Sequence, residues 1–100
     1  MSNRRLRLTI RAQRDLLGIL QYTYDTWGES KQIEYTAALE QSLTRLLIFP
    51  DVGRVRGDIR KDLRSLAVER HLVFYRVTEG EVLVERIVHA HMNVTSKEFD

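Results

Sequence analysis

Apolar side chains recur every second residue at the start of the chain, then change to a helical spacing within ten residues. Arg5-Leu6-Arg7-Leu8-Thr9-Ile10 alternates basic with apolar positions, which predicts an edge or half-exposed strand. Thr9 then offers a side-chain oxygen as N-cap, and Ala12, Leu16, Ile19, Leu20, Thr23 and Trp27 follow the i, i+4, i+7 pattern of one helix face. Gly28 is placed to be the left-handed residue that ends this helix. A second helix opens at Ser30, with Glu29 and Glu34 near its positive end. Its apolar stripe of Tyr35, Ala38, Leu39, Leu43, Leu46 and Leu47 runs into Ile48 and Phe49, and Pro50 stops it. Helices joined by so short a linker are antiparallel neighbours, so the two form a hairpin.

Residues 51–62 carry Gly53 and Gly57 among charged side chains and no sustained apolar period, which predicts a loop with a short helical turn near Asp58. Leu72 to Val77 is rich in β-branched and aromatic residues and reads as a central strand. A shorter strand over 64–68 precedes it across a tight turn at Glu69-Arg70. A strand over 82–88 follows it across Thr78-Glu79-Gly80-Glu81, where Gly80 can supply positive φ. The predicted order is β-α-α-β-β-β. The economical packing is α+β: the helical hairpin on one face of a small antiparallel sheet, within one domain over 1–100 whose last residues, about 90–100, form a polar and flexible tail.

The chain has no cysteine, so disulfides, thiolate zinc sites and cysteine nucleophiles are excluded. The basic start, Met1-Ser2-Asn3-Arg4-Arg5, is followed by no apolar run long enough for a signal peptide or membrane span, and the expectation is a soluble cytoplasmic protein. The formal charge of +2 hides an uneven distribution. From Arg54 to Arg76 there are seven positive residues (Arg54, Arg56, Arg60, Lys61, Arg64, Arg70, Arg76) against Asp58, Asp62 and Glu69. Such a face is either solvated and ion-paired or meets an anionic partner.

His89 and His91 share one face if the last strand continues, but with only His71 besides and no clustered acids they complete no metal site. A histidine flanked by phosphate-holding arginines such as Arg64 and Arg86 has the groups that RNA cleavage requires. Trp27, Tyr22, Tyr24 and Tyr35 fall at core-like helical spacing and are expected to be structural. No Gly-rich phosphate loop, G-x-S-x-G or HExxH is present, which argues against a nucleotide-using enzyme and implies no cofactor.

Taken together, Arg11-Ala12-Gln13-Arg14-Asp15-Leu16, Trp27-Gly28, Phe49-Pro50-Asp51-Val52-Gly53-Arg54, Leu63-Arg64-Ser65, Arg70-His71-Leu72-Val73-Phe74-Tyr75-Arg76 and His89-Ala90-His91-Met92-Asn93 resemble the ParE toxins of the RelE/ParE superfamily in order over nearly the whole chain. The resemblance implies the toxin of a plasmid-stabilising or chromosomal type II toxin–antitoxin pair, held in a hetero-oligomer by a ParD-like antitoxin whose C-terminal segment wraps it. When free, such a toxin poisons DNA gyrase and blocks replication without catalysis of its own. On this reading Arg64, Arg70, Arg76, Arg86, His89, His91 and Met92 meet the target, and Arg11, Arg14, Leu17 and Tyr24 meet the antitoxin. RelE-like relatives instead cut mRNA on the ribosome, and in that alternative Arg64, Arg86, His89 and His91 become catalytic. The chain lacks the late tyrosine such nucleases use, and Asn93 stands where ParE toxins generally have aspartate.

Overall fold

The structure, a computed structural model, describes residues 4–100; Met1, Ser2 and Asn3 of the basic start lie outside the described residues. Strand β1 (Arg5–Leu8) leads into helix α1 (Ile10–Trp27) and helix α2 (Glu29–Ile48). A 3-10 turn, Pro50–Val52, precedes strands β2 (Arg54–Val55), β3 (Arg64–Val68), β4 (His71–Val77) and β5 (Glu81–His89), and a second 3-10 helix spans Ser96–Phe99. No helix among the described residues is long and apolar enough to cross a membrane.

Local chemistry explains most boundaries. Thr9 caps α1 by accepting the Ala12 N–H at 3.0 Å. Gly28, at φ 90°, is the single residue between the helices; its N–H closes α1 onto the Tyr24 carbonyl, and its own carbonyl accepts from Gln32. Helix α2 therefore starts at Glu29, with Gly28 rather than Ser30 in the cap position and no side-chain cap. The β4–β5 turn does not use the left-handed freedom of Gly80, since Gly28 is the one glycine with positive φ among the described residues. Thr78 organises that turn instead, through its backbone and hydroxyl contacts with Glu81.

The sheet order is β1-β5-β4-β3-β2. Strands β2 to β5 are antiparallel, but β1 lies parallel to β5, so the sheet is mixed rather than wholly antiparallel. The helical hairpin crosses one sheet face from β1 at one edge to β2 at the other, and the antiparallel run from β2 to β5 then returns across the sheet and brings β5 beside β1 in parallel. Strand β2 lies inside the stretch expected to be a loop; at two residues it is too short for an alternating pattern to show.

Both sheet faces are covered, unequally. The main core joins Ala12, Leu39, Leu43 and Leu46 of the hairpin to Val68, Val73, Tyr75, Val82, Val84 and Ile87. A smaller cluster on the opposite face consists of Leu63, Phe74 and Val88, with Ile59, Leu72, Val94 and Phe99 packed over it. The C-terminal residues thus supply Val94 and Phe99, two of the four side chains packed over this cluster, and Thr95 and Glu98 fix their turn with a capping box.

Several expected core residues are outside it. Trp27, Tyr22 and Tyr24 are exposed, as are Ile48 and Phe49 at the end of the α2 stripe.

Candidate functional site

The geometry of the site starts where β1 stops. Strand β1 pairs with β5 only as far as Leu8 opposite Val84. There the Thr9 N–H donates to the Val84 carbonyl at 3.0 Å and its hydroxyl to the Glu85 carbonyl at 2.8 Å. Opposite β4 the register jumps from Phe74–Arg86 to Tyr75–Val84, so Glu85 is the extra residue of a β-bulge. Beyond it the edge of β5 is flanked by α1 in place of a strand.

Asp15 takes over part of the missing strand's role. Its Oδ2 accepts the Ile87 N–H at 3.0 Å, and its two oxygens hold the Arg86 guanidinium at 2.8 and 3.0 Å. The pair is largely buried, and the hydrogen bonding of the guanidinium to Asp15 is the main reason the Arg86 pKa is raised.

One turn further along, Gly18 presents no side chain and leaves a cleft of about 410 Å³ between α1 and the end of the sheet. Arg14, Gly18, Ile19 and Tyr22 form the helix wall, Arg86 to His89 the strand wall, and His71 and Met92 the far end. The histidines make a stack there: His71 lies edge-on to His89 at 5.5 Å between centroids, and His89 lies against His91 at 5.1 Å. The His89 Nδ1 accepts the His91 N–H at 3.2 Å. The Tyr35 hydroxyl sits between His71 Nδ1 and the Val68 carbonyl. Burial pushes Tyr35 up to about 12 and, reinforced by His89, moves the His71 pKa down, so a neutral pair is favoured. Among the described residues, no group of three or more metal-ligating side chains forms a site.

Of the residues expected to meet a target, Arg86, His89 and Met92 share this cleft. His91 stacks beside it, and Arg70 is tied to the same end by the bond from the Ala90 N–H to its carbonyl. Arg64 and Arg76 are elsewhere. Arg64 braces the Pro50–Val52 turn through the carbonyls of Asp51 and Gly53 and an ion pair with Asp51, and Arg76 pairs with Glu85. The register puts Arg64 opposite Tyr75 and His89 opposite His71, about 13 Å apart along β4. The four residues of the nuclease alternative are therefore not gathered at one point.

The four residues expected to meet an antitoxin all lie on α1, but not on one face. Leu17 and Tyr24 are exposed, and with Ile10 they repeat every seven residues, one line along the outer surface that also includes Arg14. Arg11 turns instead toward the C-terminal carbonyls. Sequence reasoning missed Ile10, Gly18 and Tyr22. The signal for Ile10 was present as a second apolar register, 10, 17 and 24, offset from the core register of 12, 16, 19 and 23.

Comparison with known proteins identifies the family and the fold. Residues 6–94 match the family described as the ParE toxin of type II toxin-antitoxin system, parDE. Toxin ParE1 of Mycobacterium tuberculosis is 39% identical over 95 residues, covering 94% of this chain and 96% of its own. Toxin ParE of Escherichia coli is 34% identical over 91 residues, covering 90% and 88%. A solved structure, titled "Chromosomal ParDE TA system from P. aeruginosa", superposes with a TM-score of 0.74 at 21% identity over 87% of this chain and 96% of that one, which shows a shared fold. With the family match spanning both the helical hairpin and the strands that frame the cleft, the chain belongs to the ParE toxin family of type II toxin–antitoxin systems.

Proposed function

We propose that this protein is a toxin neutralised by a ParD-type antitoxin laid along α1, and that free of it the protein poisons DNA gyrase in the cytoplasm. The observation that carries the antitoxin half is the line of Ile10, Leu17 and Tyr24 beside an open cleft. An apolar line at helical spacing on an outer helix face suits an amphipathic partner helix, and Arg14 at its edge favours an acidic one.

The gyrase half rests on family membership and on the chemistry at the cleft mouth. Arg70, His89, His91 and Met92 are exposed there, a mixed basic and apolar surface suited to gripping a protein on DNA. A mechanism without bond cleavage by the toxin itself is favoured because Arg64 and Arg86, which a nuclease would need for phosphate, are engaged with Asp51 and Asp15. The test is a supercoiling reaction with purified gyrase, ATP and relaxed plasmid, run beside a translation reaction monitored for mRNA cleavage. Lost supercoiling or trapped linear DNA with intact mRNA is the expected result; cut mRNA with normal supercoiling contradicts it.

A further inference from the structure

Three guanidinium groups from three separate elements converge on the last residues of the chain. Arg11 of α1 donates Nη1 to the main-chain oxygens of Glu98 at 2.9 Å and Asp100 at 2.8 Å. Arg60, from the loop after β2, donates to the Phe99 carbonyl at 2.8 Å, and Arg86 of β5 to the Glu98 carbonyl at 3.0 Å. Phe99 meanwhile lies edge-on to Phe74 at 5.4 Å between centroids, within the second core cluster.

This is how a bound peptide is held: consecutive main-chain carbonyls gripped by fixed donors, with one aromatic side chain in an apolar seat. Of these donors, Arg11 and Arg60 are also free of carboxylate side chains among the described residues. A guanidinium binds a carboxylate through two parallel charge-assisted bonds, roughly twice as strong as neutral ones. Among the described residues, neither Arg11 nor Arg60 has a carboxylate side chain within ion-pair distance. The segment is short, its polar contacts are largely solvent-exposed, and its capping box preserves its turn without help from the sheet.

We propose that residues 95–100 are the built-in occupant of a peptide site, and that the site accepts in their place an acidic partner segment carrying one aromatic side chain. Peptide is favoured over nucleic acid because the acceptors now held are main-chain oxygens of three consecutive residues. The inference does not depend on what the toxin poisons.

Fluorescence anisotropy with labelled hexapeptides tests it on the full chain. The probes are Thr-Ser-Lys-Glu-Phe-Asp and a more acidic form with glutamate in place of lysine. Loosening the built-in segment raises the fraction of open sites, so the Phe99→Ala chain should bind the acidic probe about tenfold more tightly than the parent. Should Phe99→Ala fail to fold, Thr95→Val breaks the capping box without altering any residue of the site, and the same gain is expected. Adding Arg11→Gln and Arg60→Gln to either variant should abolish binding, and the acidic probe should outbind the lysine one. Equal binding by parent and loosened chains, or binding that survives loss of both arginines, overturns the proposal. So does a single-stranded oligonucleotide that binds the loosened chain more tightly than the acidic probe and depends on the same arginines.

Discussion

Asp15 and Arg86 are joined through both carboxylate oxygens, at 2.8 and 3.0 Å, although they lie 71 residues apart in the chain. The same carboxylate takes the Ile87 N–H, so one side chain of α1 both neutralises a largely buried cation and completes the edge of β5. Asp15→Ala leaves the Ile87 N–H without this acceptor and the Arg86 charge without its carboxylate, with the Glu98 carbonyl as the guanidinium's remaining partner. The expected loss is about 2–4 kcal/mol, or a fall in Tm of roughly 10 °C or more for a domain of this size, read by thermal circular dichroism. Arg86→Ala should fold less stably for the reciprocal reason, so loss of toxicity in that variant reports the fold rather than a target contact.

Tyr75 and Gly53 form a second cross-link. The buried Tyr75 hydroxyl accepts the Gly53 N–H at 2.8 Å and donates to the Pro50 carbonyl at 2.7 Å, fixing the turn that Arg64 braces from the other side. Tyr75→Phe should cost about 1–3 kcal/mol by stranding a buried N–H. A Cβ on Gly53 would sit 2.9 Å from the Ser65 carbonyl and closer still to the Tyr75 ring, so Gly53→Ala should also destabilise, by about 1–3 kcal/mol. Urea denaturation of the two variants checks both figures.

Gly18 should behave in the opposite way. A Cβ there meets nothing within 4 Å, so Gly18→Ala removes only a helix-weakening residue and should stabilise by up to about 1 kcal/mol. Gly18→Leu should keep a near-parental Tm while obstructing the cleft. A cleft that binds a partner predicts weakened antitoxin affinity for the leucine variant in a direct titration.

His71 should make the fold acid-sensitive. Burial, then His89, hold its pKa below the usual 6.5, so in the window beneath 6.5 the unfolded chain binds a proton that the folded chain does not. Stability should be full above that window and fall as pH drops through it. Urea midpoints at about pH 7.5 and 5.5 measure the effect, and His71→Gln should flatten the difference.

The sequence disclosed what depends on local chemistry: the Thr9 cap, the Gly28 break, the Pro50 stop and the three long strands were legible because each has a short-range cause. The parallel pairing of β1 with β5 was not, since it depends on where the hairpin returns the chain. Side chains divide in the same way. The sequence singled out His89 and Met92, which line the cleft, and Leu17, which is exposed on α1, by type and position, whereas Arg64 and Arg86 carry the same charge as any surface arginine, and only their partners Asp51 and Asp15, remote in sequence, reveal that they brace the fold. Ile10 was hidden because it closes the alternating run of the first strand, and Tyr22 because an aromatic residue on a helix is ordinarily read as core.

The central claim is that the outer line of α1 is where the antitoxin binds. Isothermal titration of the cognate antitoxin into the parent chain and a Leu17→Glu variant tests it most directly. Because Leu17 is 69% exposed, the substitution should leave Tm unchanged. The account predicts tight binding by the parent and a loss of about thirtyfold or more for Leu17→Glu, the magnitude expected of an interface hot spot. Parental affinity in a folded Leu17→Glu variant would contradict it and move the antitoxin off this face.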